Sequence, residues 1–206
     1  MSHGVHAVQH EVKHHMDHGN GHETKKESQN KKIALLISVI ALFLALSETL
    51  GKSAQTAGIS FNVEASNLWA FFQAKTIRIT TLRTAADALR IDAAAATDPA
   101  VRKAMETQNK RWLDTAARYE DEEDPPEGRK QLMARAKQAE HQRDEALAKY
   151  HHYELASAAY QIGIVLASAA VITGMIVLVY AAIGLALLGL GFTGIGLWAP
   201  HAVHLF

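Results

Sequence analysis

Residues 33–50 read IALLISVIALFLALSETL, an apolar run with one charge, Glu48, near its end. As a helix rising ~1.5 Å per residue, a run of this length crosses the hydrocarbon core of a bilayer at the short end of the usual range. Lys25, Lys26, Lys31 and Lys32 precede it, and only Lys52 follows within fifteen residues. A cleaved signal is a poor alternative, because the preceding segment is long and acidic as well as basic, and no small-residue cleavage site follows.

If that run is a first span, the rest of the chain falls into place around it. Residues 162–199 contain no charged residue. The apolar stretch 155–199 is too long for one crossing and fits two, turning near the ITGM of 172–175. Trp198 and Pro200 suit an interfacial end. The expected class is all-α, with three transmembrane helices and a helical, coiled-coil-like extramembrane domain between the first and second spans. The expected divisions are a histidine-rich tail 1–32, a first span 33–50, a helical domain 51–153, a second span 154–172 and a third 175–199.

Within the helical domain, 4-3-4-3 spacing from Phe61 picks out Ala65, Leu68, Phe72, Lys75, Ile79, Leu82, Ala86, Leu89, Ala93 and Ala96. All but Lys75 are apolar, which predicts a long helix packed on a partner helix. Asp98-Pro99 reads as an N-cap with proline in the first turn. A second helix places Val101, Met105, Trp112 and Tyr119 on one face, and Pro125-Pro126 ends it. A third starts near Arg129, with a weaker seam through Leu132, Ala136, Ala139, Arg143, Ala146, Tyr150 and Tyr153, and no breaker stops it before the second span. Three full-length legs would return the chain at the wrong height. The second helix is therefore expected to lie across or obliquely, or the first to bend near Gly58.

The chain has 206 residues, 21 basic and 21 acidic, so its formal net charge is zero. That balance argues against a nucleic-acid partner. Without cysteine there are no disulfides, thiolate nucleophiles or cysteine metal sites. There is no phosphate loop, nucleophile elbow, HExxH or pair of carboxylates in an apolar setting, and the acids of 120–124 read as a solvated run. An enzyme is not expected.

The stretch NVEASNLWAFFQAKTIR (62–78), the opening MSHGVHAVQHEVKHH and the one-plus-two arrangement of spans resemble a family of bacterial inner-membrane proteins known as domain of unknown function 4337. The motif residues here are Asn67, Trp69, Gln73, Ala74 and Lys75. The resemblance covers nearly the whole chain. It implies a multi-pass protein of the bacterial inner membrane and supplies no catalytic residues. The turn between the last two spans is often basic in that family, whereas ITGM is not. The lysines before the first span place the N-terminus in the cytoplasm and the helical domain in the periplasm.

Seven of the twelve histidines lie in the first 23 residues. On a helix, His3, His6, His10, His14 and Asp17 share one arc, opposite Val5, Val8, Val12 and Met16. Such spacing suits Zn, Ni or Cu held by neutral imidazoles. A solvated tail and an interfacial helix that charges as pH falls through ~6.5 are the other readings. Glu48 is the one acid inside a candidate span, and intramembrane acids are functional candidates; the plainer reading is an interfacial ion pair with Lys52. Around residues 67–78 the plain reading is a membrane-proximal core with Lys75 snorkelling outwards, and the alternative is a groove for a partner or lipid headgroup. His151, His152 and Tyr153 read as membrane-interface residues. Gly163, Gly184, Gly189, Gly191, Gly194 and Gly196 permit close helix packing in lipid. The seam from Phe61 is longer than either following helix can cover, which leaves a stripe for another copy; the alternative is that the domain bends so that the second helix covers the remainder, leaving a monomer. The expected function is a self-associating scaffold or accessory protein, in contact with lipid and other membrane proteins. An oligomeric channel or transport subunit with a path near Glu48 is the alternative.

Overall fold

In the computed structural model the backbone is described for residues 4–122 and 124–202, and side chains from residue 27 onward within those ranges. Four helices follow one another: α1 (Gly4–Ala95), α2 (Pro99–Glu120), α3 (Arg129–Thr173) and α4 (Ile176–Trp198). Among the described residues there is no strand. Three helices are long and apolar enough to cross a membrane: α1 over Glu27–Ala95, α3, and α4.

The helix ends follow local chemistry. The Asp98 side chain accepts from Ala100 N at 2.7 Å and caps α2, with Pro99 in its first turn. No breaker interrupts residues 129–173, and α3 runs through them unbroken. Between α3 and α4, Gly174 takes φ +71, a left-handed conformation that a side chain would strain, and its N–H bonds to Ala170 O at 2.9 Å.

The chain divides into two compact units, residues 1–53 with 148–206, and residues 54–147. In the second unit α1 has no break at Gly58, whose missing Cβ leaves room for the Leu147 side chain. α2 runs antiparallel along α1: Arg102 reaches Ala96 O, Asn109 Nδ2 donates to Ala86 O, and Lys75 Nζ lies over the Tyr119 ring. The chain then turns beside Lys75, and α3 continues along α1 in the direction α2 was taking. Leu132, Ala136 and Ala139 pack on Ala65 and Leu68, with Trp69 and Phe72 against them. The height problem is thus solved by two helices in series on one long one, rather than by a transverse helix. It also removes the leftover stripe. Ile79, Ala86 and Ala93 are buried within the single chain, beyond the reach of α3 and alongside α2.

In the first unit α1, α3 and α4 pack together. Ile33 meets Ala167 and Ala182, and Ile40 meets Ala156 and Tyr160. Tyr153, Tyr160 and Ala167, seven apart on α3, face Gly196, Gly189 and Ala182, seven apart on α4. Large residues on one helix thus fill the absent side chains of the other. A Cβ at Gly189 would stand 2.6 Å from the Tyr160 ring, and one at Gly196 would stand 2.9 Å from Tyr153.

Candidate functional site

In the second unit, the polar side chains converge on Lys75. The 4-3 spacing puts this lysine on the buried seam of α1, where it is 4% exposed. Its Nζ pairs with Glu122 Oε2 at 3.3 Å and sits 4.6 Å from the Tyr119 ring centre and 5.8 Å from that of Phe71. Burial of an ammonium is tolerated only with such partners. Lys75 therefore does not snorkel outwards. Trp69 Nε1 donates to Glu140 Oε1 at 2.9 Å, and its ring meets Phe72 edge-on.

Nor is the acidic turn simply solvated. Glu120 accepts from Arg129 Nε at 2.9 Å and from Arg83 at 3.4 Å; Asp121 accepts from Lys130 Nζ and Gln131 Nε2, each at 2.7 Å. Hydrogen bonds from Lys130 and Gln131 hold the Asp121 carboxyl below the usual carboxylate range, and the bond to Asp121 raises the Lys130 ammonium in turn. Gln131 Oε1 is buried without a partner. Bases from α1 and α3 thus hold the loop that joins α2 to α3. Among the described residues these pairs neutralise Glu120, Asp121 and Glu122 and fix the turn.

A smaller polar set lies in the first unit. Buried Ser47 donates to Tyr153 O at 3.1 Å. Tyr160 OH lies 3.3 Å from Thr193 Oγ1, which itself donates to Gly189 O, so the phenol is the donor. His152 is 1% exposed and stacks on Phe192. Its Nε2 lies 3.0 Å from Pro200 O, which can only accept, so Nε2 carries a proton, while Nδ1 is buried without a partner. His152 is therefore a core residue of this unit. Glu48 is exposed, and its carboxylate accepts from Gln161 Nε2 at 3.3 Å.

The other sequence-predicted residues separate by role. The side chains of His3, His6, His10, His14 and Asp17 lie outside the described residues; among the described ones no group of three or more His, Asp or Glu is placed to hold a metal. The motif divides, with Trp69 and Lys75 turned into the fold and Asn67 and Gln73 exposed. Of the glycines, Gly163, Gly189 and Gly196 receive neighbouring helices, Gly194 faces its own helix's Trp198, and Gly184 and Gly191 have nothing within 4 Å. The reading from sequence missed the Glu120 and Glu122 pairs and the buried His152. The one available signal was Lys75 on an otherwise apolar seam, which implies an acid partner somewhere in the chain.

Fold and site define a class: an all-helical protein whose three long apolar helices are compatible with multiple membrane passes, joined to a helical unit fastened by ion pairs. The chain belongs to the family described as domain of unknown function (DUF4337), whose model matches residues 29–199. No curated protein and no solved structure matches it.

Proposed function

We propose that this protein is a self-associating, non-enzymatic scaffold or accessory protein of the bacterial inner membrane. α1, α3 and α4 cross the membrane, and the helical unit stands outside it. One observation carries the reading. On α4, Gly184 and Gly191 are seven apart with open space beside both, and exposed Val177, Tyr180 and Leu187 share that 3-4 spacing. In lipid, association depends on close packing, and small residues at helical spacing permit it. The other glycines of α4 are occupied from within the chain, so these two are available to a neighbour.

The test is mass measurement of the full chain in mild detergent or nanodiscs. A multiple of the chain mass is expected, and Gly191→Leu should shift it towards single copies. A clean single-copy mass for the unaltered protein refutes self-association. The orientation places the N-terminus in the cytoplasm and the helical unit in the periplasm, by the lysines before α1's apolar run. The histidine tail would then bind Zn, Ni or Cu on the cytoplasmic side. Calorimetry of the 1–22 peptide should show heats that vanish when His3, His6, His10 and His14 become Ala; unchanged heats would remove the site.

A second reading, a channel or transport subunit, draws on the Glu48–Gln161 pair. A carboxylate on the exposed surface of an apolar unit is costly in lipid unless something polar covers it. An oligomer with a continuous polar path along its axis would favour transport, and a packed apolar axis would favour the scaffold.

A further inference from the structure

We infer that the outward face of α1 in the second unit is a docking surface for the same face of a second copy, in parallel and in register. This rests on the self-association proposed above and names a surface for it outside the membrane.

The heptad register assigned by burial runs through Gly58, Ala65, Phe72, Ile79 and Ala86, so the positions opposite the core follow directly. In a helix with one buried seam, that outer face normally carries the charges. Here the fifteen outward positions of the five heptads 58–92 hold a single charge, Asp87. Ile59, Val63, Ile77 and Ile91 are each more than half exposed. The hydroxyls of Thr80 and Thr81 on this face donate back to Thr76 O and Ile77 O, so their polarity is already spent within the helix. Asn67 and Gln73 lie on the same face, and neither amide has a hydrogen-bond partner among the described residues.

Three features choose the occupant. Ile59, Val63, Gln73, Ile77 and Ile91 fall on one 4-3 series, the spacing that receives another helix in a left-handed coil. The occupant must carry little charge along its length. The exposed side of α2, with Lys103, Glu106, Lys110 and Asp114, does not qualify, whereas the α1 face itself, with Asp87 as its single charge, does. Finally, α1 is one unbroken helix whose residues 33–50 are its apolar stretch. Two copies that insert in the same sense therefore enter this stretch from the same residue, which favours a parallel, in-register pairing. Each heptad then meets its own equivalent, and a side-chain amide, both donor and acceptor, can bond its twin across a two-fold axis.

Single cysteines in the full cysteine-free chain test this in washed membranes with a mild oxidant. Gln73→Cys and Ile77→Cys should each give a disulfide-linked dimer, since facing Cα atoms within ~7 Å permit the bond. Lys110→Cys and Gln142→Cys, on other faces, should not. A dimer formed equally at all four positions, no dimer at 73 and 77, or a link to a protein of different mass overturns the inference. If oligomers are present by mass and Leu187→Cys links while 73 and 77 do not, this surface fails and self-association stands. A single-copy mass removes both. Val63→Asp with Ile77→Asp should weaken association at least roughly tenfold through opposed like charges, with helix content unchanged because both sites are exposed. Unchanged association refutes the surface.

Discussion

Lys75 occupies a position that the seam otherwise gives to apolar side chains, and its surroundings make the exception tolerable. The ammonium has Glu122 on one side and aromatic faces on the other, and its side chain is only 5% exposed against 21% for Glu122. Removing the acid leaves a charge with little water, whereas replacing the base by an apolar chain of similar length leaves a carboxylate that water still reaches. Glu122→Ala should therefore cost roughly 2–3 kcal/mol. Lys75→Met should cost less than half as much, and the double change should recover most of the loss. Denaturant unfolding of the full chain in detergent, followed by circular dichroism, measures this. Equal losses from the two single changes would mean that the lysine is not held as described. The exception at Lys75 was visible in the sequence, but its burial was not. Its partner lies 47 residues further on, beyond a whole helix and a turn, and no local rule links the two.

At the scale of elements, what could be read was what contrast revealed. From Phe61 to Ala96 polar residues separate the apolar ones, so the seam's phase is plain. The same 4-3 register continues back through Ile40 to Ile33, as burial shows, yet there nearly every neighbour is apolar and the pattern is hidden. The ends of α2 and the start of α3 were legible because Asp98, Pro99 and Pro125-Pro126 act locally. The path of α2 was not, since direction depends on partners rather than on propensity. The glycines of α4 were legible as small positions, but which of them the chain fills for itself depended on Tyr153 and Tyr160, and only the fold brings those opposite.

For the molecule as a whole, orientation in the membrane is the property on which the proposed function most depends. The chain has no cysteine, so Ser2→Cys and Ser53→Cys report the two sides without background. In intact cells an impermeant thiol reagent should label position 53 and spare position 2. The reverse labelling overturns the orientation, and equal labelling overturns the crossing of α1's apolar run. That run also raises a question of timing. Ser47 and Glu48 find their partners Tyr153 and Gln161 only 106 and 113 residues later. At about 5–20 residues per second, a ribosome would take roughly 5–20 s to deliver them. On the proposed topology, the newborn first helix spends that interval in the bilayer without α3, its polar end facing lipid or borrowed company. A chaperone that shields one carboxylate for those seconds would suffice, and any delay in translation between residues 54 and 147 would lengthen the chain's period of greatest risk.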